Sequence, residues 1–206
     1  MSTAILIPAM RPAKLAPLVA NITEATPEPH AVYIIATPEL AHAADRMGDL
    51  TGAHLILDEG ASWAKRINLG YRETTEPYLF TGADDVLFHP GWLSAALAVC
   101  DENVVIVNDL HNPHGTMALV ARTYADLGTI DGAPGLLHEG YRHNYVDGEL
   151  FGTARSRGRL VQCPEAIVEH LHPAAGKAQD DQVYEIGREA WDDDTELYNR
   201  RLHLWA

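Results

Sequence analysis

The stretch Tyr78-Leu-Phe-Thr-Gly-Ala-Asp-Asp-Val-Leu-Phe-His-Pro-Gly-Trp92 runs from a short apolar segment straight into two adjacent carboxylates, Asp84 and Asp85, and then into the next apolar segment. A short apolar run bounded by turn residues is the mark of a strand buried on both faces, and such strands belong to parallel sheets. Outward from here the same alternation repeats. Apolar strands are predicted over 4–8, 31–36, 54–57, 77–81 and 104–107, with helices over 12–23, 38–49, 62–74 and 90–100. Strand and helix alternating at this spacing gives βαβ units, hence an α/β fold: a single-domain, Rossmann-like, mostly parallel sheet flanked by helices.

The second half is less regular. A strand is predicted over 116–121, a Gly-rich loop over 128–140, a helix over 145–157, and short strands over 160–163 and 166–168. Residues 178–206 form an amphipathic helical tail with eight acidic and three basic residues. It reads as a packing helix or a lid.

Composition limits the partners. The chain has 206 residues, with 29 Asp+Glu against 15 Lys+Arg, for a formal charge of −14. Such a surface repels nucleic acid and anionic membrane, so an anionic ligand must be met locally by a metal ion, a few cations or a helix N-terminus. The cysteines, Cys100 and Cys163, form no CxxC pair and read as reduced thiols of a cytoplasmic protein. No apolar run reaches membrane-spanning length.

Four segments can carry chemistry. Ligands of open α/β sheets bind at the carboxyl ends of the strands, where Asp84 and Asp85 fall. Paired carboxylates suit a hard divalent ion, and equally a turn or cap. In His143-Asn-Tyr-Val-Asp-Gly-Glu-Leu-Phe151, Asp147 and Glu149 stand about 200° apart around a helix, so one faces a pocket and the other solvent, or both simply suit a helix first turn. His170 and His172, in Val168-Glu-His-Leu-His-Pro173, point the same way along an extended segment, as a metal pair or as an ordinary strand face. Lys65 and Arg66 open a helix after a Gly/Ala/Ser loop, an arrangement that suits a phosphate. Neither a P-loop nor a GxGxxG motif is present.

The order of these segments resembles the GT-A-fold glycosyltransferases of the large inverting family that uses nucleotide-diphosphate sugars, especially the short single-domain members of bacteriophage and actinobacterial genomes. Ile5-Leu-Ile-Pro-Ala-Met-Arg-Pro-Ala-Lys-Leu15 is similar to that family's first strand and nucleoside-bordering loop. Residues 31–37 are similar to its second strand, with Thr37-Pro38-Glu39 where an acid usually faces the base. Ala64-Lys-Arg-Ile-Asn-Leu-Gly70 is similar to its Ala-Arg-Asn-x-Gly helix, and Leu79-Phe-Thr-Gly-Ala-Asp-Asp-Val86 to its Asp-x-Asp segment, with Gly82 in place of the first acid. Tyr145-Val-Asp-Gly-Glu-Leu150 is similar to its base-bearing segment, with Val146 in place of a Glu. Residues 164–170 resemble its late strand ending in a metal-binding His.

The resemblance implies a domain over 1–177, with a nucleotide-sugar half (1–108) and an acceptor half (109–177), followed by the tail. It implies donor contacts from Pro8, Arg11, Thr37, Lys65, Arg66, Asn68, Gly82, Ala83 and Asp84. It implies Mn2+ or Mg2+ on Asp84 with Asp85, His170 or His172. Asp147 would be the catalytic base, with Glu149 beside it. The donor would be a nucleotide-diphosphate sugar, UDP-sugar favoured. The acceptor would be a sugar, a protein or a modified DNA base. A non-catalytic nucleotide-sugar-binding protein of the same fold is the main rival. A sugar nucleotidyltransferase ranks last, because Met10-Arg-Pro-Ala lacks the glycine-rich loop of those enzymes.

Overall fold

The computed structural model describes residues 1–48 and 50–206. Strands β1 (Thr3–Pro8), β2 (His30–Ala36), β3 (Ala53–Leu57) and β4 (Tyr78–Thr81) alternate with helices α1 (Pro12–Ala25), α2 (Pro38–Asp45) and α3 (Trp63–Glu73). Then come β5 (Val86–Phe88), α4 (Trp92–Cys100), β6 (Val104–Asn108), β7 (Ala118–Ala121), the short α5 (Arg122–Ala125), α6 (Val146–Ser156), β8 (Leu160–His170) and α7 (Gln182–Arg201). The eight strands form one sheet in the order β3-β2-β1-β4-β7-β6-β8-β5. β1, β2, β3 and β4 are mutually parallel, and β6 is parallel to β8; β7 and β5 run antiparallel to their neighbours. The architecture is the predicted α/β, mostly parallel sheet in a single domain.

β1 is buried throughout, as the middle strand of a sheet covered on both faces must be. On one side Phe80, Phe88 and Trp92 pack edge to face, with centroids 4.7–5.6 Å apart, and the Trp92 indole donates to Thr26 Oγ1 at 2.9 Å. This cluster sets the chain that follows β4, so the turn holding Asp84 and Asp85 leaves the sheet against a rigid wall.

Several elements differ from expectation. The helix predicted over 38–49 ends at Asp45, because the chain turns at Arg46 and closes on Ala44 through the Met47 amide; its last expected residue, Asp49, lies outside the described residues. The two late strands are one, β8, whose register against β6 shifts between Val107 and Asn108. Pro164 lacks an amide hydrogen, and the shift carries it past the ladder while its carbonyl accepts from Asn108 Nδ2 at 3.0 Å. β5 was not foreseen. It is three residues long, pairs with β8, and is pinned to α1 by Asn21, whose side chain exchanges two hydrogen bonds with the Phe88 backbone.

The C-terminal segment packs into the fold. The Trp205 ring lies on α6 at Gly152, where an added Cβ would stand 2.1 Å from Trp205 Cδ1. Gly152→Ala therefore drives Trp205 off α6. The expected result is a stability loss of about 1–3 kcal/mol in urea unfolding, with red-shifted tryptophan emission. An unchanged midpoint and spectrum would show that Trp205 is not seated there.

Candidate active site

The carboxyl ends of β1 and β4 open into a cleft of about 1200 Å3, which α6, β8 and α7 close on the far side. At its floor sit Asp84 and Asp85, both buried. Asp84 Oδ2 accepts the backbone amides of Met10 and Arg11 at 2.6 and 2.7 Å, and its Oδ1 is 2.5 Å from Arg11 Nη1. Asp85 Oδ2 accepts the Tyr184 hydroxyl at 2.7 Å and lies 3.4 Å from Arg11 Nη1; Asp85 Oδ1 is 3.5 Å from His170 Nε2. The other edge of the Arg11 guanidinium grips Asp181, the N-cap of α7, at 2.6 and 3.2 Å, and its face lies 4.6 Å from the centroid of the Tyr184 ring. Burial alone would lower the Arg11 pKa, but the hydrogen bond to Asp181 and the charges of Asp84 and Asp85 outweigh it, so Arg11 stays charged. Burial would likewise raise the Asp85 carboxyl, yet His170, Arg11 and Tyr184 together hold it well below the usual range.

Gly82 stands where the resembled family has its first acid. An added Cβ there would meet Ile7 Cδ1 at 2.6 Å and the Leu6 carbonyl at 3.0 Å, so close packing of β4 on β1 forbids a side chain. The Gly82 carbonyl instead accepts from the Trp63 indole at 3.0 Å. Pro8, Arg11, Ala83, Asp84 and Arg66 line the cleft. Arg66 is buried, with Nε 2.5 Å from Asp58 Oδ2 and Nη1 donating to the Ala9 carbonyl. Ser62 and Trp63, at the N-terminus of α3, also line the cleft; Ser62 Oγ is buried without a hydrogen-bond partner, and no side chain caps this helix. Three other expected donor contacts lie elsewhere. Lys65 is exposed outside the cleft. Thr37 caps α2 by accepting from the Leu40 amide. Asn68 is buried and ties the 136–139 loop to α3, accepting from the Leu136 and Leu137 amides and donating to Leu137 O and Glu139.

On α6 the two acids separate as helix geometry requires. Asp147 faces the cleft. Burial pushes its carboxyl up from 3.8 to about 6, against the pull of the Gly148 amide and its own. Glu149 points the other way, into a bidentate ion pair with Arg201 at 2.7 and 2.8 Å and a 2.8 Å hydrogen bond from Tyr141. Its position serves to hold α7 against α6. His170 and His172 stand 5.2 Å apart by ring centroids at the cleft edge, and His111 stacks on His172 at 5.4 Å.

Asp84, Asp85 and His170 are the right donor types for a divalent ion, and His170 Nδ1 is buried without a partner. As placed they do not fit one. Arg11 occupies the space between the two carboxylates, backbone amides saturate Asp84 Oδ2, and among the described residues no group of three or more His, Cys, Asp or Glu is arranged to hold a metal.

The C-terminal segment supplies residues that sequence reasoning overlooked. Tyr184, Trp191 and Tyr198 on α7, and Trp205 just beyond its end, recur every seventh residue and all line the cleft. Seven residues bring a helix back to nearly the same face, so this spacing was the available signal. Asp194, on the same helix, is buried and accepts the consecutive amides of Arg142, His143 and Asn144 at 2.7–2.8 Å.

No protein-family model matches the chain, and no curated protein sequence matches it. Solved structures do. Glucosyl-3-phosphoglycerate synthase from Mycobacterium tuberculosis, crystallised with Mn2+, UDP and glucosyl-3-phosphoglycerate, superposes with a TM-score of 0.65 at 10% identity, over 97% of this chain and 79% of that one. A mycobacterial protein gives 0.61 at 12% identity, over 90% and 70%. TarS 1–349 from S. aureus in complex with UDP gives 0.58 at 10% identity, over 82% of this chain and 59% of that one. The shared feature is the fold, and the fold is that of the GT-A glycosyltransferases.

Arg11 and a divalent ion compete for the same carboxylates. Removing the guanidinium leaves two buried charges uncompensated, which a cation then stabilises. Arg11→Ala is expected to bind Mn2+ at least roughly tenfold more tightly than the natural chain in calorimetric titration. Equal or weaker Mn2+ binding would show that Asp84 and Asp85 are not a latent metal site.

Proposed function

We propose that the chain is a glycosyltransferase that moves a sugar from a nucleotide-diphosphate sugar, UDP-sugar favoured, to an acceptor hydroxyl with inversion. The observation that carries this reading is Asp147: a carboxylate pushed up to about 6 that lines the same cleft as the acid pair at the β4 end. A carboxylate poised just below neutral pH is a suitable general base. A protein that only binds nucleotide-sugars has no use for a carboxylate held at that cost. The UDP complexes of the two named structural neighbours support the donor class.

The acceptor oxygen attacks the anomeric carbon, its proton passes to Asp147, and the bond from that carbon to the diphosphate oxygen breaks. The electron pair leaves with the nucleoside diphosphate. Attack on the face opposite the leaving group inverts the anomeric configuration in one displacement. Charge developing on the diphosphate is met by Arg11 and by the uncapped N-terminus of α3, with Ser62 Oγ free to donate. With Arg11 on the acid pair the residues as placed hold no divalent ion; were Arg11 displaced, Asp84, Asp85 and His170 would hold one, which would offset charge on the diphosphate, and the expected Mn2+ or Mg2+ dependence rests on those donor types and on the neighbour crystallised with Mn2+.

Asp147→Asn is expected to lower the transfer rate by at least about 10²-fold while UDP affinity stays within about threefold. The natural enzyme's rate should rise with pH to a midpoint near 6 and then level, since the base acts ionised. The folded carboxyl has the higher pKa, so the folded state holds the proton more tightly and stability declines as pH rises from 3.8 towards 6. Asp147→Asn removes that cost and should stabilise the protein at pH 7 by roughly 1–3 kcal/mol, with little change near pH 3. Retained transfer, or a variant no more stable at pH 7, would remove Asp147 from the role.

A further inference from the structure

Resting on the glycosyl-transfer reading, we propose that the acceptor is a saccharide whose ring lies against the aromatic face of α7, at Trp191, Tyr145 and Tyr198, with one hydroxyl directed at Asp147. The two ends of the aromatic row, which begins on α7 and finishes just beyond it at Trp205, are occupied by the protein itself. Tyr184 bonds Asp85 beneath Arg11, and Trp205 sits on Gly152. The middle of the row is open. Trp191 is 52% exposed although it lines the cleft, and its ring meets Tyr145 at 5.1 Å.

Tyr145 gives the second observation. It precedes α6 with φ at +64°, a left-handed conformation that a bulky side chain rarely adopts. The conformation is held from α7: Tyr198 stacks on the ring at 5.0 Å, Trp191 leans on it, and its hydroxyl lies 3.2 Å from Thr195 Oγ1, which itself donates to the Trp191 carbonyl. The strained backbone sets an aromatic face two residues before the base Asp147. Strain of this kind persists where the surroundings over-determine it, which is typical of ligand-binding positions.

The polar groups around the wall match a polyhydroxyl ligand. Asp147, Phe151 and Arg155 follow at four-residue spacing on α6 and all line the cleft, so Arg155 stands about 12 Å along the helix from Asp147. The side chains of Arg155 and of Gln162 on β8 face the cleft and make no hydrogen bond or ion pair among the described residues. An aromatic face with its negative π cloud attracts the polarised C–H groups on one side of a pyranose, while free donors serve its hydroxyls. A nucleobase would stack as well, but a nucleic acid brings phosphates. Trp191 is followed directly by Asp192, Asp193 and Asp194, Glu189 stands two residues before it, and the chain carries −14 overall.

Saturation-transfer NMR separates the cases, with UDP, the methyl glycosides of glucose, galactose, mannose and rhamnose, thymidine and a single-stranded DNA 12-mer as probes. The expected result is saturation of ring protons in at least one glycoside, reduced at least fivefold in Trp191→Ala and largely restored in Trp191→Phe. The UDP signals should be the same in all three proteins, which also shows that the variants fold. UDP signals without any glycoside signal, or a glycoside signal indifferent to Trp191, overturn the subsite and leave the donor reading standing. Trp191-dependent signals from thymidine or the DNA, with none from glycosides, overturn the saccharide class. Trp191-dependent glycoside signals without UDP binding uphold the aromatic subsite and overturn glycosyl transfer. Absence of both glycoside and UDP signals overturns both.

Discussion

One guanidinium joins the floor of the cleft to its wall. Arg11 meets Asp84 and Asp85 at the end of β4 with one edge and Asp181 at the start of α7 with the other, uniting residues 170 positions apart. Two adjacent carboxylates could not be buried without it, because each unpaired charge costs several kcal/mol in a low-dielectric surrounding. Two backbone amides and the Tyr184 hydroxyl complete the compensation. The pairing explains why α7 lies where it does. Its N-cap is held by the same cation that neutralises the strand end, so any group that changes the charge on the floor, whether an incoming cation or a diphosphate, also changes what holds the wall.

The other end of the wall is held by different physics. Gly148 and Gly152 give α6 a face without side chains, onto which Tyr198 and Trp205 close. Asp194 then draws the amides of 142–144 towards α7, and the Arg201–Glu149 pair locks the last turn. These contacts converge on the segment that leads into α6. They fix Tyr145 in its left-handed conformation and point the first turn of α6 into the cleft, which leaves Asp147 accessible yet surrounded by protein. Burial raises the Asp147 pKa, and Tyr198 and Trp205, which pack on α6 and line the cleft, help to wall the same cavity.

The alternation of strands and helices in the first half was legible because buried strands and amphipathic helices leave periodic traces, and the acid pair was legible because it follows such a strand directly. That Asp147 and Glu149 part company was also readable, since residues two apart on a helix cannot share a face; that Glu149 is buried against Arg201 and Tyr141, not solvated or beside the base, was not. What escaped had no local signature. Arg11 was expected at a donor; that it grips three carboxylates depends on contacts across more than 70 residues. Asn68 and Lys65 matched a helix motif, yet rotation of α3 buries Asn68 under the 136–139 loop and turns Lys65 outward. β5 is too short for periodicity to show. The aromatic row of the C-terminal segment has a seven-residue spacing, but the acids between its members give the stretch a predominantly charged character.

The charge itself takes on a different meaning. An excess of −14 invites the view that the tail is a solvated acidic appendage. Two of its eight acids do structural work instead: Asp181 clamps Arg11, and Asp194 is buried against three amides. The remainder lies largely on exposed positions of α7, beside the open face of Trp191. That placement keeps polyanions from the aromatic wall while leaving it open to a neutral ligand. The one anion the cleft is proposed to receive, a diphosphate, would enter at the opposite end, where Arg11 and the α3 N-terminus stand. On the proposed function, the acidity would sort ligands along the cleft: charged donor at the strand ends, uncharged acceptor against α7, with Asp147 lining the same cleft.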